Sequence, residues 1–314
     1  MKRIHVVAGI LRDAHDRVLL AQRGAGKHLA GLWEFPGGKV ERDEAPLAAL
    51  RRELLEEIGV DVDAAEPLIS VPWTYPEKRV DLDVYDVTAW RGDPIGREGQ
   101  ALQWTAIGSL HDAEMPAADR PVITALRLPR VMSVTPPPGD DLDAWATEVE
   151  AAIPGGARLV QLRAPGRATA ALRAVAVRLG AVAASHGVEL LVNGAPDVAN
   201  ELGLGLHLGA RAARAETARP IDRQRWFGVS AHDELELAQA RALDADYVVI
   251  GPVDATATHP GVAPMGWTRF SELARVAPLP CFAIGGLSPG DLPTARAHGG
   301  FGVAGIRGFW RVRG

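Results

Sequence analysis

The sequence predicts an α/β protein of two domains, a mixed-sheet domain followed by a (β/α)₈ TIM barrel. Three observations predict it. The chain has 314 residues, which is long for one domain at roughly 150 residues each. Before Pro129, strand-like runs surround one long amphipathic helix, whereas after it short apolar runs alternate with alanine-rich helical stretches. That alternation is the rhythm of repeated strand and helix units.

The elements follow in order. Ile4–Ile10 and Arg17–Gln22 are rich in β-branched and aliphatic residues around the polar cluster Arg12–Asp16, so they read as a hairpin. A helix is expected over Ala45–Ile58: Asp43 and Glu44 favour its start, Pro46 suits the first turn, and Gly59 stands where helices stop. Further strands are expected at Leu68–Thr74, Val80–Trp90 and Leu102–Thr105, then a helix near Val122–Leu128. The boundary falls near Arg127–Arg130, giving domains 1–129 and 130–314. Beyond it the apolar runs are Val131–Val134, Leu159–Arg163, Leu190–Asn193, Gly205–Gly209, Phe227–Ala231, Tyr247–Gly251, Cys281–Gly286 and Gly302–Ile306. Parallel strands in that number, each with a crossover, close into a barrel, although the segment is short for one.

Composition narrows the partners. Apolar residues make up 47% and charged residues 23%, the balance of a soluble globular protein. The net charge of -5 argues against duplex nucleic acid, whose binding rests on Lys and Arg neutralising phosphates. A free nucleotide needs only a local basic pocket. Cys281 is the single cysteine, so no internal disulfide forms and a reducing cytoplasm is expected. No signal segment and no apolar stretch long enough for a membrane helix is evident.

The strongest chemistry lies in the first helix. Glu53, Glu56 and Glu57 are three and four apart, so they share one face. Leu47, Leu50, Leu54 and Ile58 form a separate stripe that can be buried while the acids stay at a cleft. Clustered carboxylates with open positions are what Mg²⁺ selects. An isolated acidic pair more often reads as a solvated face. Here the spacing is fuller: Gly38, five residues to Glu44, seven more to Arg52-Glu53, then Glu56-Glu57 and Gly59.

That spacing matches the Nudix box, and residues 1–128 resemble the MutT-type branch of the Nudix hydrolases. The resemblance extends to Arg23, His28, the run Glu34-Phe35-Pro36-Gly37-Gly38-Lys39, the loop Gly96-Arg97-Glu98-Gly99-Gln100 and Pro121-Val122-Ile123. It implies an α/β/α sandwich and a Mg²⁺ cofactor, with Mn²⁺ as an alternative. Glu53, Glu56 and Glu57 are the implied metal ligands, completed by Glu98 and by a carbonyl of a tight turn at Gly37 and Gly38. Arg52 would orient the carboxylates, and Glu44 would be structural. Arg23 and Lys39 would hold phosphates, Phe35 would line the base pocket, and His28 and Gly38 would also meet substrate. Singly, Arg23 and Lys39 also read as surface charges, His28 as a loop histidine and Phe35 as core.

The implied reaction is attack of water at the β-phosphorus of a nucleoside triphosphate, giving monophosphate and pyrophosphate, with Glu53 or Glu98 taking the proton. The default substrate is 8-oxo-dGTP, and other nucleoside diphosphate derivatives such as ADP-ribose are the alternative. One position departs from the branch: Asp119 stands where an asparagine reads the oxidised base. An ionised carboxylate only accepts, so Asp119 donates to O6 only if burial keeps it protonated.

From Val131 to Ile306 the chain resembles thiamine-phosphate synthases and their TenI relatives. The matching segments are Leu159–Arg163, Leu191–Asn193, Leu206–Gly209, Gly228–His232, Asp246-Tyr247, Gly251-Pro252, Thr256, Thr258 and Ala283–Gly286. All fall at or after strand ends, the catalytic rim of such barrels. A phosphorylated small molecule is the expected ligand, held by Gln161, Arg163, Asn193, Ser230, Thr256, Thr258 and the backbone amides of Gly285 and Gly286. Those glycines equally suit tight turns. The magnesium acids and lysines of the synthase are replaced by Gly194, Ala210, Arg211, Ala212, Pro165 and His259. The barrel is therefore expected to be degenerate, and a thiamine-pathway transferase, a regulatory module and a scaffold are its alternative roles.

Overall fold

The computed structural model describes residues 1–26, 29–256, 261 and 263–310. His28 and Thr258 lie outside them. The chain divides into two compact units, Met1–Leu128 and Pro129–Gly314.

The first unit runs β1 (Lys2–Ile10), β2 (Arg17–Gln22), β3 (Trp33–Glu34), β4 (Gly37–Lys39), α1 (Pro46–Ile58), β5 (Asp61–Thr74), β6 (Lys78–Arg91), β7 (Leu102–Ala106) and α2 (Arg120–Arg127). One sheet has the order β4-β1-β6-β5 and a second the order β3-β2-β7. β1 runs parallel to β6 and antiparallel to β4, so the first sheet is mixed. The expected hairpin of the first two strands does not form as a sheet pair. β1 already has a neighbour on each edge, and β2 instead pairs with β3 and β7. A short antiparallel turn still joins them, with the bridge Arg12 to Val18 and with Asp13 N–H donating to the Arg17 carbonyl at 3.0 Å and Leu19 N–H to the Leu11 carbonyl at 3.1 Å.

Helix α1 starts at Pro46 with Ala45 as its N-cap, and neither Asp43 nor Glu44 caps it by a side chain. Glu44 is drawn away to Glu41 N–H and to Arg52. Gly59 closes the helix at φ 74°, a left-handed conformation that glycine adopts without a Cβ clash. Leu50, Leu54 and Ile58 are fully buried in one cluster with Val7, Leu11 and Val87. Each such side chain contributes on the order of 1.5–3 kcal/mol.

The second unit begins with β8 (Val131–Val134) and α3 (Leu142–Ala152), β9 (Leu159–Leu162) and α4 (Thr169–Ser185), then β10 (Glu189–Asn193) and α5 (Pro196–Leu202). It continues with β11 (Gly205–Leu208), α6 (Ala210–Ala213), β12 (Phe227–Ala231), α7 (Glu234–Ala242), β13 (Tyr247–Ile250), α8 (Gly266–Val276), β14 (Cys281–Ile284), α9 (Leu292–Ala297) and β15 (Gly302–Gly305). All eight expected runs are strands of one closed parallel barrel, sealed by the pairing of β15 with β8. Side chains alternate across the barrel wall. Val160 and Leu162 join the core under the helices, whereas Gln161 between them faces the barrel cavity. The three short crossover helices α5, α6 and α9 let so brief a segment complete the barrel. Among the described residues no helix is long and apolar enough to cross a membrane.

Candidate active site

Burial of the leucine stripe decides where the acids of α1 go. Glu53 and Glu57, one turn apart, line the same cavity of about 490 Å³. Glu56 turns outward with its side chain 61% exposed and is not part of that lining. Among the described residues no three His, Cys, Asp or Glu side chains are grouped as a ready metal site. The helix period thus sends Glu53 and Glu57 to the cavity and Glu56 toward its outer side, still beside Glu53 through the Arg52 Nη1 they share.

Arg52 offsets their repulsion. Its Nε and Nη2 donate to the two oxygens of Glu44 at 2.9 and 2.8 Å, the bidentate fork that makes such pairs strong. Its Nη1 donates to Glu53 at 2.9 Å and to Glu56 at 3.3 Å. The same guanidinium reaches the Lys39 carbonyl at 3.1 Å, tying α1 to β4. The Arg52 hydrogen bonds, joined by the Glu41 amide, hold the Glu44 carboxyl at about 2. In return the bonds from Glu44 first and Glu53 second raise Arg52 above its ordinary value. Glu44 thus anchors the arginine that orients the acids.

Gly37 and Gly38 do not form the expected tight turn. Both lie in β4, opposite Ala8 and Val7, and what requires glycine there is close approach. A Cβ on Gly38 would stand 2.1 Å from Glu53 Oε2, and one on Gly37 would stand 2.1 Å from the Val7 carbonyl oxygen. The Glu53 carboxylate therefore rests directly on the Gly38 backbone.

Glu98 is exposed and does not line the cavity. Its loop is nevertheless fastened to the end of α1. Arg97 N–H and Gln100 Nε2 both donate to the Glu57 carbonyl at 2.9 and 3.0 Å, and Arg97 Nη1 donates to the Leu55 carbonyl at 2.9 Å. The bonds to Glu57 satisfy a carbonyl that the helix end leaves without an intrahelical partner.

The rest of the cavity wall differs in character. Arg23, expected at the phosphates, is ion-paired with Glu34 and interacts with Asp119. Phe35 is 3% exposed and also lines the cavity, so it is core and wall together. Lys39, at the exposed end of β4, stands in the same lining as Glu53 and Glu57. Asp119 is buried. Desolvation first, and Glu34 second, push its carboxyl up to about 8 against the opposing charge of Arg23.

The barrel holds a second cavity of about 560 Å³ at its strand ends, lined by Gln161, Arg163, Asn193, Ser230, Thr256 and the Gly285–Gly286 turn among others. Thr135 fixes the Arg163 backbone from both sides: its Oγ1 accepts from Arg163 N at 2.8 Å and donates to Arg163 O at 3.0 Å. Gly285 and Gly286 have φ of 106° and 68°. A Cβ on either would press on Pro252 or Asp254 at 2.6 or 2.7 Å, so close packing alone requires glycine at both.

Several cavity residues were given no role of their own by the sequence. His207 is buried, 2.9 Å from Ser230 Oγ and 3.3 Å from the Tyr247 hydroxyl. Burial, with help from Arg163, lowers its pKa to about 3, which keeps the imidazole neutral. His232 meets the buried Glu236 at 2.8 Å. In the first unit Glu34, Tyr75 and Lys78 join the cavity wall. The histidines sit inside strand-end segments, where inward alternation was a usable signal. Tyr75 and Lys78 flank a turn and follow no period.

Residues 131–309 match the thiamine monophosphate synthase family, and residues 7–125 match the NUDIX domain family. The chain is 34% identical over 127 residues to the 8-oxo-dGTP diphosphatase of Escherichia coli (strain K12), covering 40% of this chain and 98% of that protein. It is 38% identical over 125 residues to the CTP pyrophosphohydrolase of the same organism, covering 40% and 92%. Over 190 residues it is 32% identical to the thiamine-phosphate synthase of Thioalkalivibrio sulfidiphilus (strain HL-EbGR7), covering 60% and 90%.

Proposed function

Because the chain belongs to the NUDIX family in its first unit and to the thiamine monophosphate synthase family in its second, we propose that it is a nucleotide-pool enzyme carrying a ligand-binding barrel. The hydrolase is assigned to residues 1–129 and the barrel to 130–314. The first unit is a hydrolase of phosphoric anhydride bonds, and its proposed substrate is 8-oxo-dGTP, cleaved to 8-oxo-dGMP and pyrophosphate. One observation carries this reading. A single cavity is lined both by Glu53, Glu57 and Lys39 and by Arg23, Phe35 and Asp119, so anhydride chemistry and base recognition share one enclosure.

Nudix hydrolases work with a divalent metal ion, and the donors fit one. Carboxylate oxygens are hard ligands of the kind Mg²⁺ and Mn²⁺ take, and the Gly38 backbone leaves room for the Glu53 carboxylate that any Cβ would displace. Glu53 and Glu57 would hold the ion, with the Gly37 carbonyl as a further ligand, since all three residues line the cavity and Glu56 and Glu98 do not. When bound, the ion supplies charge neutralisation at the phosphates and Lewis-acid polarisation.

The remaining steps belong to this chain's residues. Lys39 pairs with phosphate oxygens, and Arg52 fixes Glu53 so that little reorganisation is needed during reaction. Attack of water at the β-phosphorus breaks the α–β anhydride bond. The proton of the water passes to Glu53, which lines the cavity where Glu98 does not, and the nucleoside monophosphate leaves protonated or paired with a cation. Phe35 packs against the base, and the neutral Asp119 supplies both a donor and an acceptor. A nucleotide substrate and a lone buried thiol suit the cytoplasm.

The test is Mg²⁺-dependent pyrophosphate release from dGTP, 8-oxo-dGTP, dATP, CTP and ADP-ribose, beside a Glu53→Gln control. Preference for 8-oxo-dGTP, abolished in the control, supports the assignment. Turnover of CTP or ADP-ribose without preference for the oxidised purine keeps the anhydride chemistry and sinks the sanitising role. For the barrel, the Arg163 charge in a 560 Å³ cavity favours a phosphorylated small molecule. Deleting residues 130–314 tests whether that ligand regulates the hydrolase: unaltered activity and unaltered response to thiamine precursors would reject regulation.

A further inference from the structure

No described residue lining the barrel cavity is an Asp or Glu, and the residues outside the described set include no acid in the sequence. Of the carboxylates nearby, Glu236 is taken up by Arg214 and His232, and Asp254 is exposed. Mg²⁺ is held through carboxylates, so the donors present do not fit the magnesium of the synthase family. The charge in the cavity is positive. Arg163 follows β9 and Arg307 follows β15, and β8 lies between these strands, so two guanidinium side chains flank its end. Both segments are tied to β8: Thr135 Oγ1 bonds the Arg163 backbone, and Trp310 Nε1 donates to the Val134 carbonyl at 2.8 Å. Neither guanidinium is ion-paired among the described residues, whereas Arg173, Arg178, Arg214, Arg219 and Arg269 of the same unit all are.

β12 stands across the barrel from β8, and its wall fixes the direction of its hydrogen bonds. Tyr247 is fully buried, its ring seated where a Cβ on Gly228 would come within 2.0 Å of its Cζ. Among the described residues its hydroxyl meets one polar partner, His207 Nδ1 at 3.3 Å. A buried hydroxyl proton without an acceptor is unfavourable, so Tyr247 donates and Nδ1 accepts. A neutral imidazole carries one proton, which then sits on Nε2. Nε2 is 2.9 Å from Ser230 Oγ, so the imidazole donates there and Ser230 accepts. The Ser230 hydroxyl proton has no other acceptor among the described residues and turns to the cavity. Burial keeps His207 neutral, and the Arg163 charge that reaches it acts in the same direction.

We propose that Tyr247 and His207 are positioning residues that hold the Ser230 hydroxyl as a donor to a phosphate anion, which the barrel binds through Arg163 and Arg307 without a divalent metal ion. A guanidinium only donates and an oxyanion only accepts, so the two arginines and the Ser230 O–H present one kind of partner to the ligand. The tautomer matters because the reverse order would leave Ser230 Oγ as an acceptor and set its lone pair against the anion. The inference rests on the phosphate-binding reading of the barrel given above and adds how that ligand is held.

The experiment is calorimetric titration of inorganic pyrophosphate into the full chain, once in EDTA and once in Mg²⁺, after the melting temperatures of the variants are matched. Wild type is expected to bind in EDTA and Arg163→Ala to lose that binding, which marks it as the barrel's. Ser230→Ala and Arg307→Ala are each expected to weaken it by about tenfold, the scale of one hydrogen bond to a charged group. Tyr247→Phe removes no group that touches the ligand, yet a weakening of about threefold or more is expected from the freed tautomer. ¹⁵N NMR of the histidine rings, with His207 assigned from His207→Gln, reads that tautomer: a proton on Nε2 in wild type and a mixture in Tyr247→Phe. Should Tyr247→Phe not fold, the wild-type spectrum decides, because a proton on Nδ1 overturns the donor order. Barrel binding that appears only with Mg²⁺ overturns the metal-free assignment. Binding in EDTA that Ser230→Ala and Tyr247→Phe leave unchanged overturns the role given to Tyr247 and His207. If Arg163→Ala makes no difference in either buffer, the phosphate reading of the barrel itself fails.

Discussion

Replacing Gly38 by alanine should separate activity from stability, and the neighbouring glycine supplies the contrast. The added Cβ would lie 2.1 Å from Glu53 Oε2 and 2.2 Å from its Cδ. The Glu53 carboxylate would have to retreat by roughly 1.3 Å to reach ordinary van der Waals distance. It terminates a flexible side chain, so the fold yields cheaply, and Gly38 has no positive φ to strain. A displacement of about 1 Å in a reacting constellation costs on the order of 10²-fold in rate. Gly37→Ala is different, because its Cβ would meet the Val7 carbonyl oxygen and Ala8 Cα, which are backbone. That clash should cost about 2–4 kcal/mol of stability. Pyrophosphate release under saturating Mg²⁺ and nucleotide, paired with thermal melting, reads both quantities. Gly38→Ala should keep its melting temperature within a few degrees and lose about 10²-fold in kcat. If Gly38→Ala turns over at the wild-type rate, or melts as early as Gly37→Ala, the contact between β4 and Glu53 does not place the carboxylate.

Three further outcomes are expected. Arg52→Ala should lower kcat by about 10²-fold or more and should also lower stability at neutral pH. Glu44 is held at about 2, below its ordinary 4.5, so its stabilising contribution is present above about 4.5 and lost as pH falls toward 2. The difference in melting temperature between wild type and Arg52→Ala should accordingly narrow between those pH values, and a constant difference would refute the pairing. Burial pushes the Cys281 thiol up to about 12, so a thiol reagent at about pH 8 should modify it only after unfolding. Modification at the native rate of an exposed cysteine would contradict its placement in β14. Inorganic pyrophosphate should raise the melting temperature of the full chain and should do so less for Arg163→Ala, with equal shifts arguing against an anion site in the barrel.

The barrel strands were legible because each is an apolar run facing helices on one side and the cavity on the other, so periodicity and length both mark it. Helix α1 was legible for a related reason, its leucine stripe fixing which face is buried. Pairing was less so. Arg17–Gln22 is a good strand by composition, but which strand it joins depends on β6 occupying the second edge of β1, and β6 starts more than fifty residues later in the chain. Gly37 and Gly38 illustrate another limit. Glycine in a sequence signals freedom from a Cβ, and it does not distinguish a turn from a strand against which something packs. Arg23 and Glu98 were placed by analogy of position, and neither placement anticipates the ion pair with Glu34 or the exposure of Glu98. Asp119 shows the reverse: its residue type alone argued against donating, and burial beside Glu34 changes what that residue type can do.

Arg52 gives the acidic helix a resident counter-ion. Its hydrogen bonds to Glu44, Glu53 and Glu56 mean that the repulsion among these groups is already answered within the polypeptide when the chain collapses. Folding and loading are then separate events. On the metal dependence proposed above, the chain without its ion is expected to be folded and idle, not misfolded. Resupply of the ion would restore turnover without new synthesis, making ion supply a switch on activity rather than on abundance.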